Sequence, residues 1–360
     1  MAMDRRGLLL GLACSALPLP GFGMSPPASP AFLATGRRAD GFHAMALDSG
    51  GRIVGSFPLP GRGHGMAVSP DGLQAVVFAR RPGRFAVPFT PADMRAAPTF
   101  GTSADRHFLG HGFFSADGSR LFTTQNDFEA ARGVLGIHDT RHGYRRAGEI
   151  ETHGIGPHEA LLTRDGTAAV IANGGILTHP DYPRRKLNIP DMQPSLARVD
   201  LATGALLARA TLPPALHRLS IRHLVQAPDG GVWFCCQHEG PAMEQPPLVG
   251  RWDGGDGMRL LDLPRAVTAS FRNYAGSIAA SHDGQLVAVS SPRGGVIVML
   301  DGRSGAYLET IAVTDVCGLA PDSTGIAATS GTGIIRSGQR TVRHAEIAWD
   351  NHMTALAIPA

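Results

Sequence analysis

The residues of this chain with the clearest chemical potential are histidines that recur in one short pattern. Each histidine is followed by small or apolar residues and then by a tight Asp-Gly turn. Four complete copies begin at His64, His111, His158 and His223, and their turns are Asp71-Gly72, Asp117-Gly118, Asp165-Gly166 and Asp229-Gly230. Two later copies keep the turn region but have Ser277 and Cys317 in place of the histidine, and a partial copy begins at His352.

Neutral imidazoles that converge on one point are ligands for copper, iron or zinc, whereas calcium and magnesium require oxygen atoms. The chain has 15 histidines in 360 residues, so seven equivalent positions would hold fewer than one histidine by chance, and five are found. Ser277 and Cys317 indicate that the position is free to vary. We therefore expect a transition-metal site, with copper or iron favoured over zinc, and several imidazoles within ~5 Å of a common point.

The segments between the histidines have the length and alternation of β-strands, and almost none keeps a helical period. Three such runs follow most copies, for example Leu286–Ser290, Val296–Asp301 and Tyr307–Ile311. The copies are 47 residues apart from His64 to His111 and again to His158, within the ~40–50 residues of a four-stranded propeller blade. The sequence predicts an all-β fold, a seven-bladed β-propeller of the WD40 or YVTN-like kind.

Six intervals give six blades, and the seventh is expected from closure of the two chain ends. A C-terminal innermost strand, His352–Ile358, would pair with N-terminal strands at Ala31–Thr35, Phe42–Leu47 and Ile53–Phe57. Closure of this kind removes free sheet edges.

The repeated histidines stand where the innermost strand of each blade should begin, so they should line a funnel at one end of the central channel. His64 and His158 precede the turn glycine by eight residues, but His111 and His223 precede it by seven. Since side chains alternate along a strand, the four can point the same way only if a β-bulge absorbs the extra residue.

The same face should collect the loops between second and third strands, which are long and polar. The longest is an insertion at 173–194, and others lie at 125–129 and 237–244. A loop of this length is usually functional. Together with the flanks of the histidines, these loops supply the expected second layer of the funnel: Glu159, His179, Asp181, Arg222, His238, Glu239 and Cys317. The remaining histidines considered, His138, His142, His153, His217 and His344, are interpreted as surface residues.

The first thirty residues have the pattern of an export signal. Arg5-Arg6 precede the apolar run 7–19 and a Pro/Gly/Ser-rich stretch, which is typical of a twin-arginine signal peptide. We expect residues 1–30 to be removed, residues 31–360 to form one propeller domain, and the mature protein to be periplasmic without a transmembrane segment. Lipidation at Cys14 is the alternative processing.

Composition excludes some classes of partner. Lys+Arg 33 nearly balance Asp+Glu 30, and no strongly basic block is present, which argues against nucleic acid. Cys235 and Cys236 are neighbours on one strand and should not pair. No haem-attachment, zinc-protease, phosphate-loop or Ser-His-Asp motif occurs.

Several stretches resemble a bacterial family of exported proteins catalogued as domain of unknown function 1513. They are Gly154–Glu159, Asn173–Ile176, Thr178–Asp181, Lys186–Asn188 and Met192–Leu196. The resemblance implies a propeller often encoded beside imelysin-type and di-haem peroxidase-like proteins of iron uptake, which would be its partners. It brings no agreed catalytic residues. The chain is also similar to the histidine-lined propeller of nitrous oxide reductase, but it lacks the cupredoxin domain that this activity requires.

The leading hypothesis is a periplasmic metal-binding propeller in iron or copper acquisition or handling. One alternative is an oxidoreductase or hydrolase that uses the metal or an acid–base pair, His158–Glu159 or His238–Glu239. Another is a protein-interaction scaffold, since a propeller fold does not fix function.

Overall fold

The computed structural model describes residues 29–81, 83–182 and 185–356. The chain forms seven antiparallel sheets, each with four strands in a continuous ladder, and the predicted seven-bladed β-propeller is confirmed. One sheet, in the second blade, has a fifth short strand beside its third. The expected export signal at 1–30 lies outside the described residues up to residue 28, which includes Arg5, Arg6 and Cys14.

The strands follow one another blade by blade. Blade 1 consists of β1 (Phe32–Arg38), β2 (Gly41–Leu47), β3 (Ile53–Pro58) and the last strand, β29 (Ala348–Ala355). Blade 2 consists of β4 (Gly63–Val68), β5 (Ala75–Ala79), β6 (Phe85–Thr90), β7 (Arg95–Ala96) and β8 (Phe100–Gly101). Blade 3 consists of β9 (Arg106–Phe114), β10 (Arg120–Asp127), β11 (Arg132–Asp139) and β12 (Arg145–Glu151).

Blade 4 consists of β13 (Pro157–Leu162), β14 (Ala168–Asn173), β15 (Ser195–Asp200) and β16 (Leu206–Thr211). Blade 5 consists of β17 (Leu219–Gln226), β18 (Val232–His238), β19 (Val249–Trp252) and β20 (Arg259–Leu260). Blade 6 consists of β21 (Ser277–Ala280), β22 (Leu286–Ser291), β23 (Val296–Asp301) and β24 (Tyr307–Ala312). Blade 7 consists of β25 (Val316–Asp322), β26 (Gly325–Ser330), β27 (Ile334–Ser337) and β28 (Arg340–Arg343).

Helical structure is confined to short connections in the described part of the chain. One α-helix, α1 (Arg265–Ser270), follows blade 5, and three single 3-10 turns occupy Thr140–His142, Ile189–Asp191 and Pro214–Leu216. The small amount of helix agrees with the near absence of helical periodicity in the sequence.

Closure of the ring joins the two ends of the chain, as predicted, but with a longer last strand. Strand β29 pairs with β1 and begins at Ala348 rather than at His352. The segment before His352 contains Asp350 and Asn351, which disfavour a strand by propensity. The buried Asp350 carboxylate accepts two hydrogen bonds of 2.7 Å from the Arg62 guanidinium, which satisfies it inside the sheet.

The Asp-Gly turns connect the first and second strands of their blades. Gly72, Gly118, Gly166, Gly230 and Gly284 all have positive φ, between 68° and 89°, a conformation that glycine adopts without strain. In each turn the Asp carboxylate accepts a backbone N–H two residues further on, as Asp71 does from Leu73 at 3.0 Å. The turn chemistry thus fixes where each inner strand ends.

The first strands of the blades contact one another around the central axis: β29, β4, β9, β13, β17, β21 and β25. Apolar side chains of the second and third strands pack between neighbouring sheets, with the largest cluster around Trp233 and Trp252 of blade 5. The inner ends of the blades carry the residues that the sequence pattern had singled out.

Candidate metal centre

The structure brings the five repeated histidines into one cluster on the axis. They lie on the innermost strands of blades 1 to 5. Eight pairs of these rings have centroids 4.5 to 5.8 Å apart, and each of the five rings belongs to at least three of those pairs. The cluster consists of His64, His111, His158, His223 and His352.

The ladder is interrupted beside every one of these histidines. The pairing register shifts between Gly63 and Met66 in β4, between Pro157 and Glu159 in β13, and between Ile221 and His223 in β17. Corresponding shifts lie opposite His111 and His352. The expected bulges are present, and they occur in all five strands. They allow histidines at different distances from the turn to point to the same axis.

Two overlapping groups of three histidines have ligand atoms close enough to share an ion. Each group has one nitrogen per residue, all within 4.8 Å of one another, and His111 belongs to both: His64, His111 and His158, and His111, His223 and His352. Bonds of ~2.0–2.1 Å place two ligands of one ion at most ~4.2 Å apart. Small side-chain movements would therefore bring either group to bonding distance.

Glu159 positions two of the imidazoles. Its Oε2 lies 3.1 Å from Nδ1 of His223 and accepts the backbone N–H of Leu224 at 3.0 Å, and its Oε1 lies 3.6 Å from Nδ1 of His111. A carboxylate oxygen only accepts, so Nδ1 of His223 carries the proton and its Nε2 offers a lone pair. This is the arrangement by which carboxylates orient metal-binding histidines.

Three ring nitrogens of the cluster are buried without a hydrogen-bond partner: Nδ1 of His64 and Nε2 of His111 and His352. Buried polar atoms are almost always paired, since an unpaired one costs about 1–3 kcal/mol. For His111, the free atom is Nε2, opposite the Nδ1 that faces Glu159. A metal ion is one partner for such nitrogens, and His111 and His352 belong to the same group of three.

His158 differs from the other four. An Arg222 Nη atom lies 3.3 Å from its Nδ1. Since a guanidinium only donates, Nδ1 of His158 is the acceptor and the proton of the neutral ring is on Nε2. In this arrangement His158 presents an N–H at Nε2, which favours the group of His111, His223 and His352 as metal ligands.

Burial keeps the cluster uncharged. It is the main cause that lowers the pKa of His223 to about 3 and the pKa of His64, His111, His158 and His352 well below the usual range. Repulsion among the rings and from Arg80 and Arg222 acts in the same direction. Burial raises the pKa of Glu159, which His111 partly opposes. Near neutral pH all five imidazoles therefore have a lone pair.

The two remaining inner strands carry Ser277 and Cys317 at buried positions, but neither belongs to the histidine groups. Burial raises the pKa of the Cys317 thiol to about 12, so the thiol is protonated and is not a ready ligand. Cys235, Cys236 and Cys317 are all free, in agreement with the expectation that the neighbouring pair does not form a disulfide.

The other expected funnel residues lie outside the cluster. His179 faces Glu129 and Asp181, each at 3.6 Å, on the loop after β14. Nε2 of His238 lies 2.9 Å from Glu244. Glu239 instead contacts Lys186 and lies 3.5 Å from Arg222.

The acid–base pairs that adjacency in the sequence suggested are not formed. His158 pairs with Arg222 and His238 pairs with Glu244, while Glu159 and Glu239 face other residues. The bulge at His158 interrupts the alternation of β13, and Glu159 turns to His111 and His223, while Glu239 follows the end of β18 and contacts Lys186.

The interpretation of His138 as a surface residue is wrong. Its ring is buried in blade 3, where its two nitrogens lie 3.1 Å from Tyr144 O and 3.2 Å from Thr123 Oγ1. His107, which the sequence analysis did not consider, is also buried and lies against Asn126. Both lie on strands with long runs of buried residues, β9 and β11.

The insertion at 173–194 is fixed to the rest of the funnel face in its described part. Thr178 O accepts a hydrogen bond of 2.9 Å from Asn126 of blade 3, and Lys186 forms an ion pair with Glu239 of blade 5. Within the loop, the Asn188 side chain accepts a hydrogen bond from Leu177 N and donates one to Gly175 O. The loop therefore spans three blades beside the cluster.

Two surface clefts lie apart from this site. One is lined by residues of blade 5 and α1, including Leu260 and Arg265, and the other by residues of blades 4 and 5, including Arg198 and Gln226. Neither contains a histidine of the cluster.

Comparisons with known proteins agree with the β-propeller fold and show the family of the chain. Residues 57–356 match the family described as "Protein of unknown function (DUF1513)". No curated protein matches the sequence. Among solved structures, hydrazine synthase of Kuenenia stuttgartiensis is similar, with a TM-score of 0.62 and 15% identity over 91% of this chain and 99% of that chain.

The β-propeller domain of Cps50 (Swd1) from Myceliophteria thermophila is similar too, with a TM-score of 0.60 and 10% identity over 85% of this chain and 94% of that chain. At these identities the likeness concerns the fold alone. In the described residues, no helix is long and apolar enough to cross a membrane.

Proposed function

The chain belongs to the DUF1513 family of proteins of unknown function, and we propose that this member binds a transition-metal ion in the funnel of its propeller. One observation carries the proposal: five neutral imidazoles, three buried and two half-buried, cluster on the axis, and three of their nitrogens are buried without a hydrogen-bond partner. Imidazole is a ligand for copper, iron and zinc. Of these, copper or iron is the expected ion.

The proposed ligands are His111, His223 and His352 through Nε2, with Glu159 holding the first two by their Nδ1 side. His64 is the fourth candidate, because its Nδ1 is buried and unpaired. Three protein ligands leave positions open for an exchangeable ligand, whereas four would close a tetrahedral site. The proposed role of metal binding at this site is the acquisition or handling of iron or copper.

The proposed location is the periplasm, after export by the paired-arginine signal at the N-terminus. The proposed partners are other periplasmic proteins of iron uptake, which the resemblance to exported family members suggests. Tat-dependent export of a folded protein is compatible with a metal bound before export.

The test is metal content of protein purified without chelators and then incubated separately with Cu(II), Fe(II) or Zn(II). We expect about one ion per chain after desalting, and loss of that ion in a His111→Ala/His223→Ala variant. The control is His142→Ala/His282→Ala, which removes two exposed histidines. Electron paramagnetic resonance of the copper form should report nitrogen ligands.

Absence of metal from the unaltered protein, or equal loss in both double variants, would contradict the proposal and favour an interaction scaffold. Thermal unfolding of each variant verifies that it is folded. If the alanine variant does not fold, His111→Gln/His223→Gln keeps side-chain volume and serves the same purpose.

A further inference from the structure

A cleft between blades 4 and 5 opens at the end of the propeller that carries the Asp-Gly turns, opposite the histidine cluster. Its volume of about 260 Å³ is below the ~300–1,000 Å³ of clefts that hold drug-sized ligands, so it fits a smaller molecule. The floor is formed by three buried apolar side chains, Val170, Val232 and Trp252. The rim is polar and includes Thr163, Arg164, Asp165, Arg198, Gln226 and Asp253.

Arg198 extends from β15 of blade 4 to the turn after β19 of blade 5. One of its Nη atoms lies 3.4 Å from the point where a Cβ atom on Gly254 would stand. The Nε–H of Arg198 is buried and has no acceptor. Buried N–H groups in folded proteins almost always have a partner, so this donor is free for a ligand in the cleft.

The cations of the rim are free, whereas its carboxylates are engaged. In the part of the chain that the structure describes, no carboxylate forms an ion pair with Arg198 or with Arg164. The Asp253 carboxylate pairs with Arg251 at 2.8 Å. Asp165 accepts two hydrogen bonds within its own turn, of 2.6 and 3.1 Å. The cleft therefore presents guanidinium donors that an anionic group can use.

We propose that this cleft binds a small organic acid, with the carboxylate on Arg198 and the carbon chain on the apolar floor. A guanidinium recognises two carboxylate oxygens at once through parallel N–H bonds. Arg164 adds positive charge at the rim. The apolar floor favours an organic acid over an inorganic oxyanion, because contact with a carbon chain removes apolar surface from water. This site is separate from the metal centre and does not rest on the proposed function.

The experiment titrates the purified protein with butyrate, acetate or inorganic phosphate at constant ionic strength, and measures each Kd by ligand-observed NMR. We expect a Kd for butyrate of about 1 mM or lower. Acetate should bind at least about threefold more weakly, because it lacks two methylene groups that would contact the floor. Phosphate that binds more tightly than butyrate would contradict the assignment of an organic acid.

Arg198→Gln should weaken butyrate binding at least about tenfold, and Arg164→Gln at least about threefold. Arg209→Gln is the matched control, since Arg209 is an exposed arginine on the outer strand β16 of the same blade. Its Kd should stay within about twofold of that of the unaltered protein.

No binding of butyrate, or equal weakening in Arg198→Gln and Arg209→Gln, would overturn the proposal. Thermal unfolding verifies that each variant is folded. If Arg198→Gln does not fold, Arg198→Lys keeps the charge but loses the paired donors of the guanidinium, and should still weaken binding at least about threefold.

The two proposals fail separately. The His111→Ala/His223→Ala variant is expected to lose the metal and keep butyrate binding, because the cleft lies at the other end of the propeller. Conversely, Arg198→Gln is expected to lose butyrate binding and keep the metal.

Discussion

At the scale of single residues, the chemistry of the cluster depends on one carboxylate. Glu159 lies on blade 4, between His111 of blade 3 and His223 of blade 5, and accepts from Leu224 N as well. It fixes the tautomer of His223 and turns the free nitrogen toward the cluster. An imidazole held in this way loses less freedom when a metal binds.

Glu159→Gln should raise the Kd for the metal about 10- to 100-fold while the protein stays folded. The amide supplies one acceptor, for Leu224 N or for His223, and places an N–H₂ group against the other imidazole. Competition with a chromophoric chelator measures the affinity. Glu129→Gln, an exposed acid beside His179, is the control and should leave the Kd unchanged.

At the scale of elements, the bulged inner strands decide where the imidazoles point. Gly110 precedes His111 in the bulge of β9 and has a φ of +99°. A Cβ atom there would lie 2.4 Å from Cδ2 of His64. The backbone of blade 3 thus packs directly against the ring from blade 2, which requires glycine at this position.

Gly110→Ala should lower both the free energy of unfolding and metal affinity, because it adds contact with His64 to the strain of positive φ. Gly72→Ala is the matched control, since Gly72 has a φ of +71° and open space around the added Cβ. We expect the control to lose about 1 kcal/mol of unfolding free energy from backbone strain alone. Gly110→Ala should lose at least about 1 kcal/mol more than the control. Chemical denaturation measures the unfolding free energy of both variants. An equal loss in Gly110→Ala and Gly72→Ala would contradict the contact between position 110 and His64.

At the scale of the whole molecule, the propeller buries imidazoles in the funnel and also within single blades. Burial lowers the pKa of His107 and of His138 to about 4, below the 6.5 of an imidazole in water. The unfolded chain takes up protons below pH 6.5 that these folded sites do not accept. Above pH 6.5 these two histidines do not reduce the free energy of unfolding. As the pH falls from 6.5 toward 4, proton uptake by the unfolded chain lowers that free energy.

The free energy of unfolding of the metal-free protein should therefore fall between pH 6.5 and 4.5. Each such histidine contributes up to about 1.4 kcal/mol per pH unit. In His138→Gln the slope against pH should be shallower by about this amount, whatever the change in stability at neutral pH. Denaturation series at several pH values measure the slope. An unchanged slope would contradict the burial of a neutral His138, and the exposed His142→Gln should leave the slope unaltered.

The sequence by itself determined the repeat, the turns and the positions of the five histidines. Alternating apolar residues and Asp-Gly turns are local signals, since strand pairing within a blade joins segments close in the chain. His64 and His158 could be placed at the start of an inner strand for the same reason. Counting the residues between histidine and turn indicated a bulge for one pair of histidines, whereas the register shifts occur beside all five.

Only the tertiary structure decided which groups face each other across blades. Glu159 meets His111 and His223, Arg222 meets His158, and Asp350 meets Arg62, and no local pattern links the partners in these pairs. Such contacts depend on the number of blades, on their tilt and on closure by β29. Adjacency in the chain predicted the wrong partners for His158 and His238, because folding brings Arg222 of the next blade to His158 and Glu244 of a loop to His238.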